Sequence, residues 1–349
     1  MQRRNLLSLF GLSCIAPLTF SQSRVPIADA HNHLGLLRRN TESIPKLASL
    51  MQDSGVHLLS WTIVPDALFI RATPMGVTQA GPIQPGELTA SFNRQMAGAI
   101  NGIRGNGVTV VRTLDDLEKA AHGEPCVVLT TEGADFLEGS LEGLPAAYEM
   151  GIRHVQLVHY IQSPVGDLQT EKPQHSGLSD FGKRLVKALN AQGILIDLAH
   201  STGAAIDQAM EVSSVPMIWS HGFISRNEPG WTAGGWKARG LSEAHARKFA
   251  KSGGAVGLWC LAASFGRGLE GYASEIMRMI DLLGPEHVMF GTDEDGLPSG
   301  AVIEQLGDLR QVVDLLAKRG IEERVLRAVA FGNYHRCLQT AFKARTIQS

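Results

Sequence analysis

Short apolar runs recur along this chain and alternate with amphipathic stretches, and this alternation limits the folds available to it. Such runs are typical of buried parallel strands, and the amphipathic stretches between them are typical of covering helices. The sequence predicts eight strands, at residues 25–31, 57–64, 126–132, 153–159, 194–200, 215–221, 255–260 and 287–293. It predicts helices at 141–150, 180–192, 202–212, 242–252, 272–283 and 302–319. Eight strand–helix units favour an α/β fold of the closed (β/α)8 TIM-barrel type over an open sheet.

The chain is longer than a minimal barrel, so part of it must form insertions. It has 349 residues, whereas a barrel of this type needs roughly 250. The longest insertion, 65–116, contains a Gly/Pro-rich stretch, a predicted helix near 88–104 and an extra strand at 108–112. A second, near 221–240, is rich in Gly and Trp. Insertions at the carboxyl ends of barrel strands cover the active site, so both are candidate lids. We interpret residues 24–349 as one domain.

The first 23 residues have the pattern of an export signal. Arg3 and Arg4 precede an apolar run over 6–20, and small residues at 21–23 offer a cleavage site. The arginine pair resembles a twin-arginine signal, with an ordinary secretory signal as the alternative. We therefore expect an exported protein of the bacterial periplasm. No later segment is apolar enough to suggest a membrane span.

Charge and cysteine content exclude several classes of protein. Lys and Arg total 32 against 34 Asp and Glu, so the chain lacks the basic excess that nucleic-acid partners require. Beyond the signal segment there are three cysteines, Cys126, Cys260 and Cys337, without C-x-x-C spacing. This predicts neither a disulfide framework nor a thiolate zinc site. A small-molecule substrate is expected.

Residues that can bind metal ions stand where the predicted strands end. His31 and His33 close the first strand, and their i, i+2 spacing puts both rings on one side of an extended segment. The others, each at the end of a different strand, are Glu132, His200, His221 and Asp293. Any one of them could be an ordinary hydrogen-bonded core or rim residue. Because the carboxyl ends of barrel strands meet in one mouth, the whole set indicates a metal centre.

The ligands divide into two groups that share a carboxylate. One group is His31, His33 and Glu132, and the other is His200, His221 and Glu132. Two ions bridged about 3.5–4 Å apart can hold a hydroxide between them as the nucleophile. Asp293, outside both groups, would take the proton of the water and return it to the leaving group. Nitrogen and oxygen ligands suit zinc, with manganese, cobalt and iron as alternatives.

The chain resembles the renal or membrane dipeptidases, a family of the amidohydrolase group, in its ligand pattern and in five segments. The segments are 111–118, 151–159, 196–200, 216–221 and 291–296. The resemblance implies a zinc-dependent dipeptidase acting on a small dipeptide-like substrate, with two zinc ions bridged by Glu132. It also implies that Asp293 is the catalytic carboxylate, that His159 contacts the substrate and polarises its carbonyl, and that the protein is a homodimer.

The resemblance further implies an arginine that clamps the substrate carboxylate after the sixth strand. We assign this role to Arg226, with Arg239 as the alternative. Two features depart from the family: His33 stands where the family has aspartate, and segment 229–236 differs. Two other functions therefore stay open. One is hydrolysis of another amide, a lactone or an ester, and the other is a catalytically silent barrel that only binds ligands.

Overall fold

The computed structural model describes residues 25–36, 47–74, 76–226, 235–297 and 299–345. The predicted signal segment, residues 1–23, lies outside the described residues, as does most of segment 229–236. In the described part of the chain, no helix has the length and apolar character needed to cross a bilayer.

Eight parallel strands form a nearly closed barrel, which confirms the predicted fold. The strands are β1 (Ile27–Asn32), β2 (Val56–Ile63), β3 (Cys126–Thr131), β4 (Ile152–Gln156), β5 (Leu195–Asp197), β6 (Ile218–Trp219), β7 (Ala255–Leu258) and β8 (Val288–Phe290). Each pairs with the next in sequence order. Between the last and the first, Asn32 bridges Glu294 in parallel, and the amide of Asp293 donates to the carbonyl of His31 at 2.9 Å.

Helices cover the barrel on its outer side and at its amino-terminal end. Their bounds are Leu47–Ser54, Glu87–Ile103, Leu114–Ala121, Leu144–Met150, Asp180–Gln192, Gly203–Val212, Glu243–Lys251, Gly268–Leu283, Leu306–Lys318, Glu323–Arg327 and Asn333–Lys343. Side chains of Ser179, Thr202 and Ser242 cap the amino ends of three of them by accepting a backbone amide, which is why those helices begin where they do.

The last helix, Asn333–Lys343, follows a π-helical turn at Ala328–Gly332 and closes the amino-terminal end of the barrel. Its Tyr334 and Leu338 belong to a buried cluster with residues that begin several strands, including Cys126, Leu195 and Ala255. The metal-ligand residues stand at the opposite ends of the strands. The barrel therefore has one packed end and one end available for chemistry.

The first insertion contains the predicted helix, Glu87–Ile103, and the predicted extra strand, Thr109–Val110, which pairs with Cys126 and Val127. Part of its Gly/Pro-rich stretch forms an antiparallel hairpin of Ile70–Thr73 with Gly76–Gln79. In the second insertion, Phe223–Ser225 pairs in parallel with Gly240–Ser242, and a 3-10 turn spans Gly235–Arg239. The two insertions touch, because a Cβ added at Gly76 would lie 2.9 Å from the Cα of Gly235.

Candidate metal centre

The barrel places all the predicted ligands in one buried mouth. His31 is the second-last residue of β1, and Glu132 directly follows the last residue of β3. The other ligands lie one to three residues beyond the ends of their strands, and every one, Asp293 included, is at most 7% exposed. His200 and Asp293 adopt left-handed backbone conformations, with φ of 70° and 59°. Such conformations in non-glycine residues concentrate at functional sites.

The Glu132 carboxylate is the centre of the cluster. Its Oε1 lies 3.0 Å from Nε2 of His200, 3.4 Å from Nε2 of His221 and 3.6 Å from Nε2 of His31. Its Oε2 lies 3.4 Å from Nε2 of His33 and 3.4 Å from Nε2 of His159. One carboxylate thus stands between five ring nitrogens that come from the ends of four strands.

One group of candidate ligands comes from the junction of β1 and β8. Nε2 of His31 and Nε2 of His33 approach to 3.1 Å, and Asp293 Oδ1 lies 3.3 Å from Nε2 of His33. These three ligand atoms all lie within 4.8 Å of one another. Nδ1 of His33 donates to the carbonyl of Thr62 at 2.9 Å. That bond fixes the ring and leaves Nε2 as the ligand atom.

The second group comes from β5 and β6. Nε2 of His200 lies 3.2 Å from Nε2 of His221, and both face Glu132 Oε1. Nδ1 of His221 is 2.9 Å from the hydroxyl of Ser220, which holds the ring from behind. The amide of Gln169 donates to the carbonyl of His200 at 2.7 Å. The His221 ring is therefore oriented by a group outside the cluster, whereas at His200 the external bond fixes the backbone.

Burial and charge set the protonation of these groups. Burial, together with the Arg239 charge, holds the pKa of His200 and of His221 well below the usual value, so both rings are neutral. The neutral imidazole is the form that binds metal. Burial opposes ionisation of Glu132, but the surrounding histidines outweigh it and hold the pKa of this carboxyl well below its usual value.

The carboxylates beside His33 favour its positively charged form. Burial alone would lower its pKa, but hydrogen bonds and charge interactions with Asp293 and Glu132 raise the pKa to about 10. The positive charge of the imidazolium offsets the negative charges of the two carboxylates, as a bound metal ion would. This requirement for a cation beside Glu132 and Asp293 fits the residues to a metal site.

Asp29 is a buried residue that links the ends of β1 and β8, and the pattern of ligand-type residues at strand ends does not reveal it. Its carboxylate accepts from the Thr292 amide at 2.9 Å, the Thr292 hydroxyl at 2.6 Å and the Asn32 side chain at 2.9 Å. Burial raises its pKa despite these bonds. The links hold the strand ends that carry His31 and Asp293.

The assignment of the substrate clamp to Arg226 is not supported by the geometry. Arg226 is exposed and lines a surface cavity with Glu243 and Arg278. Arg239, the alternative, is 2% exposed, and its Nη2 lies 3.3 Å from Nε2 of His221. The pairing of Phe223 with Gly240 explains this difference. It places residue 239 close to His221, whereas residue 226 lies at the opposite end of the paired segments.

His159 reaches the same mouth from the end of β4, with a partner that we did not predict. Its Nδ1 donates to Oδ1 of Asp66 at 2.7 Å, and its Nε2 faces Glu132. Asp66 lies three residues beyond β2. Like the predicted ligands, it is therefore a polar residue close to the carboxyl end of a barrel strand.

Comparison with known proteins places the chain in a family. The family model described as membrane dipeptidase (peptidase family M19) matches residues 21–349. Dipeptidase 3 of Mus musculus is 27% identical over 250 residues, which cover 68% of this chain and 48% of that protein. Dipeptidase aclJ of Aspergillus oryzae is 26% identical over 220 residues, 60% of this chain and 50% of that protein. The chain thus spans about half the length of these curated relatives.

A solved structure supports the same fold. The metallo peptidase from Rhodobacter sphaeroides, liganded with a phosphinate mimic of the dipeptide L-Ala-D-Ala, has a TM-score of 0.76 and 21% identity. The similarity covers 91% of this chain and 99% of that one. With the family match extending over nearly the whole sequence, this chain belongs to the membrane dipeptidase family.

Proposed function

We propose that this chain is a zinc-dependent dipeptidase that holds two metal ions. The observation that carries the proposal is the Glu132 carboxylate, which stands between two sets of buried ring nitrogens. His31 and His33 would hold one ion, His200 and His221 the other, and Glu132 would join them.

The donor set suits zinc and related metals. It consists of imidazole nitrogens and carboxylate oxygens, and none of the ligand clusters in the described ranges includes a cysteine. Such donors also accept manganese, cobalt or iron. When bound, the ions would supply a Lewis acid for the scissile carbonyl and lower the pKa of water at the centre.

Arg239 favours a substrate with a free carboxylate. Its guanidinium contacts neutral groups: Oε1 of Gln169, the hydroxyl of Tyr160 and the neutral ring of His221, each at 3.3 Å. None of these three groups supplies a carboxylate that pairs directly with the guanidinium. The planar fork of arginine pairs with a carboxylate through two parallel hydrogen bonds. The carboxyl terminus of a dipeptide has this chemistry.

Two residues are placed to move protons or polarise the peptide bond. Asp293 has a carboxylate oxygen beside His33, at the edge of the cluster, where it can accept a proton from the attacking water and pass it to the leaving amine. His159 presents Nε2 beside Glu132, where it can donate to the carbonyl oxygen of the substrate.

A second candidate function is hydrolysis of another amide, a lactone or an ester. The pair His31 and His33 favours it, because a neutral imidazole at residue 33 leaves one negative charge fewer at the centre than a carboxylate would. The same residues would serve either reaction. The substrate distinguishes them.

The test combines metal content with a substrate panel. We expect the zinc-loaded protein to contain close to two zinc equivalents and to hydrolyse dipeptides, including L-Ala-D-Ala, in preference to a lactone or a carboxylic ester. Glu132→Ala should lose both zinc and turnover, while the exposed Glu142→Ala keeps both. Zinc-loaded protein that hydrolyses only lactones or esters establishes the second candidate. Wild-type protein that takes up no metal leaves a barrel that only binds ligands.

We also propose that residues 1–23 direct export to the periplasm. The basic pair Arg3 and Arg4 followed by an apolar run supports this. Expression in a bacterium, with fractionation of cells and sequencing of the amino terminus of the product, tests it. Full-length protein confined to the cytoplasm would refute the proposal.

A further inference from the structure

Asp66 is a buried carboxylate that belongs to neither group of candidate metal ligands. It is 1% exposed and lies in the turn that follows β2. The turn is fixed by two backbone hydrogen bonds, from the amide of Ala67 to the carbonyl of Val64 at 3.0 Å and from the amide of Phe69 to the carbonyl of Asp66 at 2.8 Å. The backbone that carries the carboxylate is therefore held in a defined turn.

Both oxygens of Asp66 bind the segment that follows β4. Oδ1 accepts from Nδ1 of His159 at 2.7 Å, and Oδ2 accepts from the backbone amide of Tyr160 at 3.3 Å. The bond to the Tyr160 amide fixes the carboxylate relative to the chain, so the bond to the His159 ring also fixes the direction in which that ring points. A carboxylate with one partner could rotate freely, but this one cannot.

The consequence for His159 is a defined role for each ring nitrogen. Nδ1 carries the hydrogen that Asp66 accepts, which leaves Nε2 as the nitrogen beside Glu132, 3.4 Å from its Oε2. The ring also packs edge-on against His200, with centroids 4.7 Å apart. Without Asp66, rotation of the ring would exchange the two nitrogens or move Nε2 from the centre.

We propose that Asp66 is a positioning residue for His159, which holds the imidazole so that Nε2 faces the substrate carbonyl beside Glu132. The proposal rests on the dipeptidase function proposed above. Asp66 acts through His159 and touches neither metal nor substrate. A carboxylate that orients a functional histidine in this way contributes about 10–100-fold in activity.

The first experiment is a double-mutant cycle on the zinc-loaded protein. Asp66→Asn, close in shape, should lower kcat for a dipeptide by about 10–100-fold, with KM and zinc content unchanged. In a His159→Gln background the same substitution should change kcat by less than about twofold, because the residue through which it acts is gone. The exposed Asp53→Asn is the matched control and should have wild-type kinetics in both backgrounds. Equal losses with and without His159 would overturn the proposal.

A second measurement does not depend on turnover. Nitrogen NMR of histidine-labelled protein should show His159 protonated at Nδ1 in wild type and in Asp53→Asn, and altered ring signals in Asp66→Asn. Unchanged His159 signals in that variant would overturn the proposal even if activity fell. If zinc-loaded wild type hydrolyses no dipeptide, the dipeptidase function fails, and the ring signals alone then decide whether Asp66 orients His159.

Discussion

Gly296 is a position where one added methyl group should disable the centre although no ligand is substituted. A Cβ added at Gly296 would lie 2.0 Å from Oδ1 of Asp293 and 2.7 Å from Cδ2 of His33. Non-bonded heavy atoms prefer separations of about 3.5 Å, so in Gly296→Ala the carboxylate must retreat by more than about 1 Å. A displacement of this size at a reacting group costs roughly 100-fold in rate. The added atom should also destabilise the fold by about 1–3 kcal/mol.

The assay is kcat for a dipeptide, with zinc content and thermal unfolding measured on the same preparations. Gly307→Ala is the matched control. It lies in helix Leu306–Lys318 with open space around the added carbon, so alanine should leave kcat unchanged and hold or raise the free energy of unfolding. If Gly296→Ala kept wild-type kcat, the position of Asp293 would not matter, and its role as the base would be wrong. Asp293→Asn should lose turnover under the same conditions.

Three further predictions use other parts of the centre. Burial raises the pKa of Asp135 to about 8, partly offset by the Ser163 hydroxyl and reinforced by the Asp66 charge. Since this pKa exceeds the unfolded value, the contribution of Asp135 to stability is fully present below about pH 4 and is lost as pH rises to about 8. Asp135→Asn should therefore raise Tm relative to wild type at pH 8 and not at pH 4; a lower Tm at pH 8 would contradict this. Arg239→Lys should raise KM for dipeptides by about 10-fold or more through loss of the bidentate fork, while Arg226→Lys leaves KM unchanged; equal effects would refute the clamp. Removal of metal by a chelator should lower Tm, and zinc at about 100 times its Kd should restore roughly 2.7 kcal/mol per site; a Tm indifferent to both would argue against the centre.

The barrel and its ligands could be predicted because local sequence determines both. A strand buried on both faces needs an apolar run, and a polar side chain that ends such a run marks the mouth. This logic found His200 and His221, whose strands are only three and two residues long in the structure. It found the helix Asp180–Gln192 with the observed bounds, because the serine cap and the glycine that follows the helix are both local signals.

Other features depend on contacts between segments that are far apart in the sequence, and local sequence patterns do not predict such contacts. Arg239 reaches the centre through the pairing of Phe223 with Gly240, and no motif near these residues predicts that pairing. Asp66 matters only because β2 and β4 bring it beside His159, 93 residues away. The helix Asn333–Lys343, which closes the barrel, was not predicted, since the last predicted helix spans 302–319.

The parallel pairing of Phe223–Ser225 with Gly240–Ser242 makes the position of Arg239 independent of the length of the second insertion. Residue 226 directly follows one paired segment and Arg239 directly precedes the other, so the pairing sets the position of Arg239. Closing a longer loop costs only about 0.6 kcal/mol for each doubling of its length. Insertions or deletions between residues 226 and 239 would therefore cost little, and the pairing would keep the arginine in place.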